Sequence, residues 1–137
     1  MQVNRINLIK HEQESMTYKQ AKPLIYSWLS NVSRDYSCLT PFGNAVNQDI
    51  NKICDCVISK DSWENFVDRR VLELSSIGKF LQLNGMIPLT QSLSLSKIAE
   101  YFGEAVDSDK VHTASGDVEI GASVLKHYSK FLEHLKR

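Results

Sequence analysis

Apolar side chains recur at helical spacing over most of the chain. Phe42, Val46, Ile50, Ile53 and Val57 follow one another at intervals of four and three, a single stripe on a helix. Thr40-Pro41 stands ahead of that stripe as a start signal: threonine accepts free amide hydrogens, and proline at the first position has no amide to leave unpaired. Upstream, residues 1–16 alternate weakly and then turn polar, which predicts a loose arm or a short strand. Thr17 caps a helix to about Ser30, with Ile25, Trp28 and Leu29 on its apolar side. Pro23 bends that helix or delays its start. Residues 31–39 read as a polar connector.

Downstream of a break at Ser59-Lys60, Asp61 with Glu64 forms a capping-box pattern. A helix from Ser62 to Leu83 is expected, with Trp63, Phe66, Val67, Leu74, Ile77 and Leu81 on one face. Asn84-Gly85 ends it, since both residues tolerate the left-handed conformation. Pro88 and a Ser/Thr-rich run make a loop. A shorter helix covers about Ser94 to Phe102 and stops at Gly103. Residues 104–117 are acidic and turn-rich. A last helix carries Val124, Leu125, Tyr128, Phe131, Leu132 and Leu135. The fold class predicted is all-α, an irregular bundle of four to five helices in one domain over 1–137.

Composition changes this picture little. The 137 residues are 42% hydrophobic and 23% charged, a length and balance that support one folded core. Three cysteines, Cys38, Cys54 and Cys56, fit reduced thiols and a cytoplasmic setting. The first twenty residues carry Arg5, Lys10, His11, Glu12, Glu14 and Lys19, which predicts no secretory signal. No apolar run approaches the roughly 18 residues of a membrane span.

Charge matters more through its distribution. The formal net charge is zero, so no global field draws the chain to nucleic acid. Yet residues 98–121 hold six acidic side chains and one basic, whereas 122–137 hold four basic and one acidic. On the last helix Lys126, Lys130 and Arg137 line one outward face, with Lys136 close by. On the expected 62–83 helix, Arg70 falls inside the apolar stripe, where a charge needs a partner. Leu72 and Lys79 mark the opposite face.

Catalytic and metal patterns are absent. Cys54 and Cys56 point about 200° apart on a helix, and His127 and His134 stand about 10 Å apart along theirs, too far to share one zinc ion. Cys38, beside Arg34, has no histidine placed near it by the sequence. The glycines match no phosphate-binding loop. Neither a cofactor nor a small-molecule substrate is suggested, and no enzyme is predicted. Ser96-Lys-Ile-Ala-Glu-Tyr-Phe-Gly103 is similar to the first helix and turn of a DNA-reading helix-turn-helix. Its second helix would then be Glu104 to Asp109, whose carboxylates phosphates repel.

Ile77, Phe80, Leu81, Asn84, Gly85 and Met86, followed by Thr90 to Ser96-Lys97 and by the terminal Phe131 to Arg137 run, resemble the small all-helical subunit of type III-B CRISPR effector complexes. The resemblance covers roughly 42–137; Gly78 stands where that family tends to have proline. It implies a non-catalytic subunit that packs against other protein subunits and supports a guide–target RNA duplex by backbone charge. Arg69, Arg70, Lys79, Lys126, Lys130, Lys136 and Arg137 are the nucleic-acid-binding candidates. A second class of function remains open: a small helical interaction protein, such as an immunity protein, antitoxin or phage-encoded inhibitor, blocking a basic partner through Glu100, Glu104, Asp107 and Asp109.

Overall fold

The structure, a computed structural model, describes residues 15–36, 38–107 and 113–133. The all-α expectation holds. Among the described residues there are helices α1 (Tyr18–Val32), α2 (Val46–Cys56), α3 (Lys60–Glu64), α4 (Leu74–Leu83), α5 (Leu95–Tyr101) and α6 (Ala114–Glu133). Strand β1 (Phe42–Gly43) pairs in parallel with β2 (Leu72–Glu73), Phe42 opposite Leu72. Internal contacts divide these residues into two compact units, 42–44 with 72–107 and 113–133, and 15–36 with 38–41 and 45–71.

In the unit of α1, α2 and α3, Thr17 caps α1 through a complete capping box. Its hydroxyl accepts from the Gln20 backbone N–H, and the Gln20 side-chain oxygen Oε1 accepts from the Thr17 backbone N–H at 2.8 Å. Pro23 lies within the helix without delaying its start. Leu29, Ile58 and Val67 form the core, with Ile25, Leu39, Ile53, Trp63 and Phe66 packed on it. Trp28, expected beside Ile25 and Leu29, is 60% exposed. It stands about 100° around the helix from Leu29, beyond the narrow buried strip.

Three boundaries differ from expectation. Thr40-Pro41 does not start a helix, because Phe42-Gly43 is drawn into the strand pair; α2 begins only after Ala45, whose φ is 56°. The cap of α3 is Ser59, which accepts from the Ser62 amide at 3.3 Å, two residues ahead of the expected Asp61. The helix expected over 62–83 is broken at 65–73. Leu39 pairs with Val67 in parallel, with Leu39 N donating to Phe66 O at 3.0 Å and Asp68 N to Leu39 O at 2.8 Å. The Asp68 carboxylate then captures the Arg70 amide at 2.8 Å. Such local side-chain bonds compete with helix hydrogen bonding. The single stripe is thereby split: Trp63, Phe66 and Val67 serve one core, and Leu74, Ile77 and Leu81 the other.

In the second unit α4 and α5 pack on α6. Leu74, Leu81, Ile87, Ile98, Ala99, Val124 and Tyr128 are all at most 2% exposed. Position 78 lies under the Tyr128 ring: a Cβ there would stand 2.5 Å from the hydroxyl oxygen, so glycine is needed for α4 and α6 to approach. The expected ends of α4 and α5 are both found, at Gly85 (φ 71°) and Gly103 (φ 80°). Each is a Schellman closure: Met86 N donates to Leu81 O and Gly85 N to Gln82 O; Glu104 N donates to Ala99 O and Gly103 N to Glu100 O. Buried Gln82 fastens the following turn, its amide donating to Pro88 O at 3.0 Å and Gln91 O at 2.8 Å.

Candidate functional site

The Schellman closure of α5 fixes the backbone of Glu104 and aims its side chain at α6. One carboxylate oxygen, Oε1, accepts from Ser123 Oγ at 2.6 Å and from His127 Nε2 at 2.7 Å. Ser123 and His127 are four apart on one helix and therefore share a face. The imidazole also stacks on Phe102, ring centroids 4.6 Å apart and planes 4° from parallel. The Ser123 hydroxyl, then the His127 bond, then the nearby Lys130 charge hold the Glu104 carboxyl below the usual carboxylate range.

A serine, a histidine and a carboxylate invite comparison with a catalytic triad, where histidine stands between nucleophile and acid. Here the carboxylate is the hub. Serine and histidine both donate to it and not to each other, so His127 does not stand against the hydroxyl as the base of a triad does. The arrangement works as a brace tying the segment after α5 to α6. Beside it lies a cavity of about 210 Å³, walled by Glu104, Val106, Gly116, Ile120 and Ser123 among others.

The structure separates the nucleic-acid candidates. Lys126 and Lys130 are exposed one turn apart on α6, and among the described residues neither forms a salt bridge. Lys79 is exposed on α4, its Nζ 3.5 Å from Gln82 Oε1. Arg69 and Arg70 are not on a helix at all, the break at 65–73 having removed it. Arg69 forks onto Glu64 through Nη2 at 2.7 Å and Nε at 3.0 Å. Arg70, expected inside the apolar stripe, is 92% exposed and stands 4.0 Å from Asp68. Lys136 and Arg137 lie outside the described residues.

Of the acidic set, Glu100 pairs with Lys97 at 2.8 Å, and Glu104 is committed to the brace. Asp107 is exposed beside the cavity, and Asp109 lies outside the described residues. Residues 104–107 form no helix where the helix-turn-helix pattern expects its second one to start at Glu104; 108 and 109 lie outside the described residues. Cys54 and Cys56 both lie on α2, as expected; burial first, and then Asp55, push the Cys54 thiol upward, away from the reactive thiolate. Among the described residues no group of three or more His, Cys, Asp or Glu side chains could hold a metal ion, and no helix is long and apolar enough to cross a membrane.

The brace was missed in the sequence, although its signals are there: a residue just after a helix-ending glycine, and a Ser/His pair at a spacing of four. A second cavity, of about 170 Å³, lies between α2, α3 and the segment bearing Asp68 and Arg69, and no motif in the sequence marks it. No protein-family model, curated protein or solved structure matches the chain.

Proposed function

We propose that the chain is a non-catalytic, RNA-backbone-binding subunit of a ribonucleoprotein assembly of the CRISPR-effector type. The observation that carries this reading is the Lys126–Lys130 pair. Both ammonium groups are exposed on the outer face of the longest described helix, while Val124 and Tyr128 on its inner face anchor it in the core. A helix holding two exposed cations one turn apart, neither in a salt bridge among the described residues, presents charge to phosphates. The resemblance over 77–86 and the chain end points the same way.

The reading as a blocker of a basic partner has less support. Two of its four carboxylates, Glu100 and Glu104, are engaged within the chain.

Anisotropy titrations with single-stranded and duplex RNA over a salt series test the proposal. Binding that weakens with salt and is lost in Lys126→Glu/Lys130→Glu is the expected outcome. Absence of RNA binding at low salt by a folded chain overturns it.

A further inference from the structure

We propose that the 170 Å³ cavity between α2 and α3 is a binding site for a single nucleobase, with its sugar and phosphate outside. The proposal goes beyond the Lys126–Lys130 surface, shares no residue with it, and is tested separately.

One face of α2 supplies Asn47, Ile50 and Asn51, at the spacing that brings residues onto one side of a helix. Trp63 of α3, half-buried against the core, also lines the cavity. Asn47 and Asn51 are exposed on α2, whereas Ile53 packs into the core. Neither asparagine side chain has a hydrogen-bond partner among the described residues.

The ionic groups of the lining are already matched. Arg69 forks onto Glu64, with Lys60 at 4.0 Å from the same carboxylate, and Asp68 faces Arg70. A charged ligand would have to displace these pairs. What the cavity offers besides these pairs is part of the Trp63 indole, the Ile50 side chain, the Cys54 thiol and two primary amides, each able to donate and accept. A nucleobase is the complement of that set: a planar π-face for the indole and an edge of mixed donors and acceptors for the amides. Drug-sized pockets begin at about 300 Å³. This cavity is smaller and holds a ring system, not a whole nucleotide. Lys60, whose side chain is 78% exposed, stays paired with Glu64, so the phosphate is left to solvent.

The chain has two tryptophans, Trp28 and Trp63, so in Trp28→Phe all indole emission comes from the cavity. Nucleoside 5′-monophosphates should quench Trp63 saturably, and ribose 5-phosphate should not. Asn51→Ala, at an exposed position, should weaken the nucleotide about tenfold or more, the usual worth of a two-bond amide–base contact. Should Trp28→Phe fold poorly, NMR signals of the two indole N–H groups in the unaltered chain replace it, with only Trp63 expected to shift. Comparison of adenosine 5′-monophosphate with a short oligoadenylate identifies the source. Equal affinity marks a free nucleotide and tighter oligoadenylate binding marks a strand, and either supports the site. No saturable change with any monophosphate, equal quenching by ribose 5-phosphate, or an unaffected Asn51→Ala overturns it.

Discussion

Gly78 and Gly121 are both buried glycines in helices of the same unit, and they should respond in opposite ways to one added methyl group. At position 78 the new carbon would meet Tyr128 Oη at 2.5 Å and Leu93 Cδ2 at 2.8 Å. Overpacking of this kind costs about 1–3 kcal/mol. At position 121 its closest neighbours are Leu74 Cδ1 at 3.5 Å and Phe42 Cε2 at 3.9 Å, ordinary contacts. There the methyl gains helix propensity of about 0.5–1 kcal/mol. Urea denaturation should therefore rank Gly121→Ala at or above the unaltered chain and Gly78→Ala clearly below it; equal midpoints would mean that Tyr128 yields freely. The same crowding leaves no space for a proline ring at 78, where the resembled family tends to carry one. Glu104 gives a second prediction. Its folded pKa lies below the unfolded value of about 4.3, so its stabilisation is present above that pH and is lost as pH falls through the lowered folded value. Thermal midpoints of the unaltered chain and of Glu104→Gln should differ near neutrality and converge in acid. A gap independent of pH would show that the brace does not depend on the carboxylate charge.

At the scale of elements, the sequence was readable where one residue does one local job. Thr17 with Gln20, Asn84-Gly85 and Gly103 all act as their chemistry dictates. These are also the residues that a helix terminus needs in any protein: Asn84-Gly85-Met86, central to the family resemblance, is the left-handed residue and aliphatic contact of a Schellman closure. Where a distant segment competes, local patterning failed. Nothing near Thr40-Pro41 announces that Phe42 pairs with Leu72, and nothing near Val67 announces Leu39. The stripe from Trp63 to Leu81 has good helical spacing, yet it feeds two cores because backbone pairing interrupts it. The shift of the α3 cap can be tested directly. Ser59→Ala removes the oxygen that accepts from the Ser62 amide and should cost about 1 kcal/mol. Asp61→Ala, at the position expected from the pattern, should stay within about 0.5 kcal/mol. The reverse ranking in chemical denaturation would restore Asp61 as the cap.

Over the whole molecule, the zero net charge limits what phosphate binding can look like. A strongly basic protein gains affinity from many released counterions; under the proposed function this chain relies on a local row. On the α6 surface Lys126 and Lys130 stand between Glu119 and Glu133, which helical periodicity puts on the same side at spacings of seven and three. Each single-strand phosphate neutralised contributes about −0.7 to the slope of log affinity against log salt. Two lysines therefore predict a shallow slope of about −1.4, with Lys136, Arg137 or Lys79 adding similar increments where they take part. Lys126→Glu/Lys130→Glu should remove that share and bring binding down across all RNA sequences alike, since phosphates carry no base identity. Fluorescence anisotropy from low to moderate salt measures both quantities. A slope several times steeper, unchanged by the double substitution, would transfer RNA binding to a different surface and leave α6 as a structural helix with a solvated face.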